Sequence, residues 1–166
     1  ALVPCVLSAL IANVISSLFG VASTSFTLAA IPELSAISLL QTIGLGIVFG
    51  AMASLFCRAM HMGGTLYKKI ENPYLRIVVG GCIVALLSLL VRSGDYNGAG
   101  MSVISAALAG HAVPWAFALK IVFTVLTLGA GFKGGEIVPC FFVGATCGCV
   151  VAPLLGMDAG FGAALG

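Results

Sequence analysis

Two adjacent glycines followed by an acid stand between two long apolar stretches, and this motif has the chemistry of an anion site. The motif comprises Gly134, Gly135, Glu136, Ile137, Val138 and Pro139. Glycines let the backbone turn sharply and approach a ligand closely, because they carry no Cβ. A helix beginning just after them would direct free N–H groups and its positive dipole end at the ligand. The structural alternative is a plain loop, with Pro139 in the first turn of the following helix.

The flanking stretches favour the anion site over the plain loop. The stretch before the motif, residues 116–131, is apolar except for Lys120, and residues 140–155 after it carry no charge. A break in helical structure at membrane depth is tolerated only where it is buried in protein or lines a cavity. Lys133 and Glu136 flank the break, and ionisable groups between apolar helices are candidates for function. We expect Lys120 to snorkel to the membrane surface.

The composition is that of a membrane protein. Of the 166 residues, 61% are hydrophobic and only 7% are charged, whereas soluble proteins carry about 25% charged residues. The lipid bilayer is therefore the predicted surrounding. A net charge of +2 with sparse basic residues does not indicate nucleic-acid binding. Six cysteines lie mostly in apolar stretches without CxxC spacing, so we predict no metal site, no disulfide framework and no cofactor.

The apolar stretches predict an all-α, polytopic fold with about five full or nearly full spans and one short segment. They cover residues 1–18, 36–57, 77–91, 101–109, 116–131 and 141–155. Residues 21–35 read as a polar connection. Residues 58–76 read as a positively charged loop, which the positive-inside rule places in the cytoplasm. Short and broken segments are typical of transporters and channels.

Small residues predict close helix packing at two places. Gly46 and Gly50 have G-x-x-x-G spacing, which we interpret as internal packing rather than dimerisation, and residues 144–148 form a second such face. The chain has no initiator Met and begins and ends within apolar stretches. We therefore expect residues 1–166 to be a fragment truncated at both ends.

The stretch at 129–139, Gly-Ala-Gly-Phe-Lys-Gly-Gly-Glu-Ile-Val-Pro, resembles the CLC family of chloride channels and anion/proton antiporters. The family's signature at this place is G-G-x-F-x-P, which opens a helix whose N-terminus faces the central anion. The turn at Gly98-Ala99-Gly100 before a short segment is also similar to the family. The resemblance implies the C-terminal half of an inverted-repeat fold with broken and re-entrant helices.

The resemblance also implies roles for the motif. The N–H groups of Glu136 and Ile137 would donate to the anion, Gly134 and Gly135 would allow the turn, and Pro139 would set the first helical turn. Val138 completes the anion-binding segment. Backbone donors bind a halide without placing a full positive charge beside it, so the halide can be released, as conduction requires.

Two positions depart from the family pattern: Ile137 replaces an aromatic residue, and Glu136 replaces an apolar one. An ionised carboxylate would repel the anion, so Glu136 either points away or is protonated part of the time. A protonated Glu136 would donate a hydrogen bond, which favours fluoride, and would be the proton-coupling group. An acid at this place looks like the fluoride/proton branch of the family. The alternative is a structural pair of Glu136 with Lys133 or a neighbouring helix.

The predicted function is transmembrane halide transport, with chloride as the family's usual ion, through a channel or an anion/proton antiporter. A fluoride/proton antiporter of the same family is the alternative, and a non-catalytic membrane subunit is a second one. An intramembrane enzyme is disfavoured, since the chain has no H-E-x-x-H or G-x-S-x-G motif. We expect halide and protons as ligands, a full-length homodimer and a multi-pass location in the cell membrane. The family's gating glutamate and pathway tyrosine lie outside this chain, since Tyr67, Tyr74 and Tyr96 do not match.

Overall fold

The computed structural model describes residues 2–21 and 35–166, and the regular secondary structure within these ranges is entirely helical. In chain order the helices are α1 (Leu2–Leu18), α2 (Ala36–Tyr67), α3 (Pro73–Val91), α4 (Met101–Leu108), α5 (Ala116–Gly129), α6 (Ile137–Val151), a 3-10 helix (Ala152–Leu155) and α7 (Ala159–Leu165). The predicted all-α fold is confirmed. The polar connection predicted at residues 21–35 lies almost wholly outside the described residues.

Among the described residues, three helical stretches are long and apolar enough to cross a membrane. They are Ala36–Tyr67, Pro73–Val91 and Ile137–Leu155, the last comprising α6 and the 3-10 helix. A helix of 19 residues measures about 28 Å, close to the hydrocarbon thickness of about 30 Å. The apolar helices α1 and α5 are shorter, with 17 and 14 residues. The eight residues of α4 confirm the predicted short segment between longer spans.

The prediction of a loop at residues 58–76 is wrong for most of these residues, which are helical. Helix α2 continues to Tyr67, because its last ten residues contain no proline and charge alone does not end a helix. The extension also gains packing: a Cβ added at Gly63 would lie 2.4 Å from Cγ1 of Val125 on α5. Helix α3 starts early as well, since the Asn72 side chain caps it and Pro73 occupies its first turn.

Helix α6 lies at the centre of the described helices and packs against α2, α4, α5 and α7. Seven of its residues, from Phe142 to Cys149, are buried. The small-residue face predicted at 144–148 is confirmed: a Cβ added at Gly148 would lie 2.1 Å from the Gly162 carbonyl oxygen of α7. The other predicted face is not in contact, since no atom within the described ranges lies within 4 Å of a Cβ added at Gly46 or Gly50.

Candidate functional site

The end of α5 is fixed by α3 before the chain reaches the glycine motif. Arg76 on α3 donates through Nε to the carbonyl oxygen of Ala130 at 3.1 Å, which satisfies a carbonyl at the end of α5. Gly80, one turn further along α3, lies against Ala130: an added Cβ would be 2.2 Å from the Ala130 Cβ. Gly131 then turns the chain with a φ of 101°, which favours glycine.

The glycines of the motif do not need the left-handed region. Neither Gly134 nor Gly135 has a positive φ, and the residue that does is Gly131. A Cβ added at Gly135 would have no atom of the described chain within 4 Å, whereas one at Gly134 would lie 3.0 Å from Leu128 Cδ2. The turn itself therefore does not need glycine at position 135. A need for glycine there would come from a ligand or another part of the protein that approaches the turn closely.

Helix α6 begins with three unsatisfied amides. Glu136 is its N-cap residue, and in the part of the chain that the structure describes the Glu136 side chain makes no capping hydrogen bond. The first bond of the helix joins Cys140 N–H to the Glu136 carbonyl at 3.1 Å, and Pro139 in the first turn has no N–H. Within the described ranges, the N–H groups of Glu136, Ile137 and Val138 find no acceptor. This end of α6 is exposed, with 69% of Ile137 accessible, so the amides are open to a ligand.

The Glu136 side chain has no ionic partner in the part of the chain that the structure describes. No basic nitrogen, including that of Lys133, lies within 4.0 Å of its carboxylate. Both side chains are exposed. The structural pair between Glu136 and Lys133, which was the alternative interpretation, is therefore not formed among the described residues.

A cavity of about 150 Å³ lies beside the turn that precedes α6. It has room for a small anion and a few waters, since a water molecule occupies about 30 Å³ of the liquid. Its walls come from the loop before α4, from one face of α5 and from the glycine motif. The lining residues are Tyr96, Asn97, Gly98, Lys120, Phe123, Thr124, Thr127, Leu128, Gly134, Gly135 and Pro139. None of these described residues is acidic.

Lys120 lies in this wall and does not snorkel to the membrane surface, which corrects the prediction. Only 2% of the residue is exposed. Its Nζ donates to the carbonyl oxygen of Tyr96 at 3.2 Å and to that of Gly98, and lies 4.8 Å from the centroid of the Phe142 ring. The loop before α4 thus supplies carbonyls that hold the ammonium group inward.

Tyr96 forms the aromatic part of the same wall. Its ring stacks on Phe123 with centroids 5.7 Å apart, and meets Phe142 edge-on at 6.0 Å. Burial, and to a lesser degree the charge of Asp95, raises the pKa of Tyr96 above its ordinary value. The phenol is therefore neutral at physiological pH and adds no negative charge to the cavity.

The whole chain, rather than the motif alone, decides the family. The family model for the voltage gated chloride channel matches residues 1–166. The chain belongs to the voltage-gated chloride channel family. Its CLC homologues are multi-pass membrane proteins, and the apolar helices of this chain agree with that location.

Individual CLC relatives match nearly the whole chain. A chloride/fluoride channel protein of Pseudomonas syringae pv. tomato is 35% identical over 173 residues, covering 100% of this chain and 38% of the relative. The voltage-gated ClC-type chloride channel ClcB of Salmonella dublin is 28% identical over 159 residues, covering 92% of this chain and 38% of the relative. The crystal structure of a CLC-type fluoride/proton antiporter is similar with a TM-score of 0.88 and 32% identity, covering 98% of this chain and 42% of that one. The chain thus spans about two fifths of the length of these CLC proteins.

Sequence reasoning found the glycine motif but missed the cavity wall opposite it. Lys120 was visible as the lone charge in an apolar helix. That isolation was a usable signal, because a charged residue within an apolar span faces protein or a water-filled cavity more often than lipid. Tyr96, in contrast, carried no signal, since it lies in a turn-rich polar stretch.

Proposed function

We propose that this chain is the C-terminal half of a CLC transport domain and forms one wall of a halide pathway. In this proposal the N–H groups of Glu136 and Ile137 donate to the anion, and Val138 adds a third amide. The observation that carries the proposal is the start of α6, where three amides lack acceptors among the described residues and the end is open. Amides supply partial charges, so the halide is bound weakly enough to leave.

Fluoride/proton exchange is the form of transport that Glu136 favours. An ionised carboxylate at this place repels an anion, whereas a protonated one donates a hydrogen bond to it. Fluoride, the smallest halide, accepts such a bond most strongly. The acid would then carry a proton in one direction as the halide moves in the other. The names of two relatives, a chloride/fluoride channel protein and a fluoride/proton antiporter, agree with this preference.

The remaining ligands and partners follow from the same proposal. The full-length protein would act as a homodimer in the cell membrane, surrounded by lipid, with halide and protons as its ligands. The exposed apolar side chains of α3, where Gly80 alone is buried, suit contact with lipid or with the other half of the domain. Chloride flux through a channel without proton movement is the competing form of the proposal.

Flux measurements on the full-length protein in liposomes test the proposal. We would load fluoride or chloride, start efflux, and record halide release and internal pH for the wild type and for Glu136→Gln. We expect fluoride release with opposite proton movement in the wild type, and loss of the proton movement in Glu136→Gln. Glu71→Gln is the matched control, because Glu71 is an exposed acid between α2 and α3.

Three other results would contradict parts of the proposal. Halide flux without proton movement would indicate a channel and leave Glu136 outside the coupling. Unchanged coupling in Glu136→Gln would remove the carboxyl from the mechanism. No halide flux in the wild type would refute transport, and failed assembly of the glycine variants would then indicate a non-catalytic membrane subunit.

A further inference from the structure

Lys120 is a buried positive charge without a negative partner among the residues that the structure describes. Its side chain is 2% exposed, and no carboxylate lies within 4.0 Å of its Nζ within those ranges. Buried charges in proteins are generally paired, because removing them from water is costly. Two carbonyl oxygens and the face of one aromatic ring supply partial negative charge only. The described residues therefore place no full counter-charge in the cavity wall.

The other polar side chains of the cavity that the structure describes add no negative charge beside Lys120. The Thr124 hydroxyl donates to the Lys120 carbonyl and the Thr127 hydroxyl to the Phe123 carbonyl, each at 2.7 Å. Their hydrogens are therefore used within α5. Among the described lining residues none is acidic, so their part of the cavity wall carries one net positive charge, contributed by Lys120.

The same cavity is lined by Gly134 and Gly135, directly before the open amides of α6. We propose that Lys120 supplies the charge that draws the transported anion into this cavity, so that it sets anion occupancy and selectivity for anions over cations. The mobile anion is the missing counter-charge. This inference rests on the proposed halide transport, and adds to the α6 amides a fixed full charge in the wall of the adjoining cavity.

This role predicts a loss of apparent affinity rather than a loss of transport. A unit charge about 10 Å from an anion, at an effective dielectric of about 20, changes its affinity by roughly tenfold. We expect Lys120→Met to raise the halide concentration for half-maximal flux by about tenfold and to weaken discrimination against cations. Lys120→Arg keeps the charge and is expected to retain a half-saturation concentration near that of the wild type.

The test uses the full-length protein in liposomes, with flux recorded over a range of fluoride and chloride concentrations. Lys120→Gln replaces Lys120→Met if the latter fails to assemble, because an amide can still donate to the Tyr96 and Gly98 carbonyls. Lys69→Met is the control for net charge, since Lys69 is exposed in the segment between α2 and α3.

The possible outcomes distinguish a failure of the role inferred for Lys120 from a failure of the proposed halide transport. If the wild type transports halide and the neutral variants keep its half-saturation concentration, Lys120 only clamps the Tyr96–Gly98 loop and the inference is overturned alone. If the wild type moves no halide, the proposed function fails and the inference fails with it. A tenfold shift in the neutral variants, absent in Lys120→Arg and Lys69→Met, supports the pathway charge.

Discussion

The crossing of α3 and α5 offers a prediction in which two neighbouring glycines serve as test and control. A Cβ added at Gly80 would lie 2.2 Å from the Cβ of Ala130, whereas one at Gly81 would lie 3.6 Å from Phe132 Cζ. Carbon atoms in ordinary contact lie about 3.5–4.0 Å apart. Gly80→Ala therefore requires the two helices to separate by more than about 1 Å, and Gly81→Ala requires no movement.

The difference in stability between the two variants follows from two contributions. The gain in helix propensity is common to both variants, and overpacking affects only one of them. Alanine is about 1 kcal/mol more favourable than glycine within a helix, and both positions lie in the interior of α3. Overpacking costs about 1–3 kcal/mol and applies to Gly80 alone. The difference in free energy of unfolding between the two variants is therefore about 1–3 kcal/mol, with Gly80→Ala the less stable.

Thermal or denaturant unfolding of the full-length protein in detergent measures this difference. We expect Gly80→Ala to unfold below the wild type or close to it, and Gly81→Ala to unfold at or above the wild type. Because Ala130 leads into the glycine motif, Gly80→Ala is also expected to slow halide flux. Equal stability of the two alanine variants would refute the argument that close α3–α5 contact fixes the end of α5.

Two further substitutions test the elements that pack against α6. Gly100→Ala is expected to lower the free energy of unfolding by about 2–4 kcal/mol, because Gly100 has a φ of 69° and the added Cβ would lie 2.5 Å from the Phe142 ring. Gly98→Ala is the control in the same unfolding measurement, because a Cβ added at Gly98 would have no atom of the described chain within 4 Å. An equal loss of free energy of unfolding in both variants would contradict the reasoning. Asp158→Ala is expected to cost about 1 kcal/mol, because the carboxylate accepts from the Phe161 N–H at 2.9 Å and caps α7. Asp158→Asn keeps an acceptor, so a loss as large as that of the alanine variant would argue against capping.

The sequence alone determined the features that depend on composition and local order. The apolar content required a membrane protein, and the interrupted apolar stretches required short and broken helices. The helix start after Gly134 and Gly135 was also predictable, because glycine and proline mark such boundaries in the chain itself. The resemblance to the CLC family also came from the stretch at 129–139, although only the match over residues 1–166 decided the family.

Other features were decided only when distant segments met. The length of α2 depends on packing of Gly63 against α5, and the contacts expected of Gly46 and Gly50 are not made within the described ranges. The clearest case is Lys120, whose carbonyl acceptors precede it by 24 and 22 residues. A lone lysine in an apolar helix can face water, lipid headgroups or protein. Its burial was decided by the return of the α3–α4 loop onto α5, because only that contact supplies the carbonyls that stabilise the charge inside.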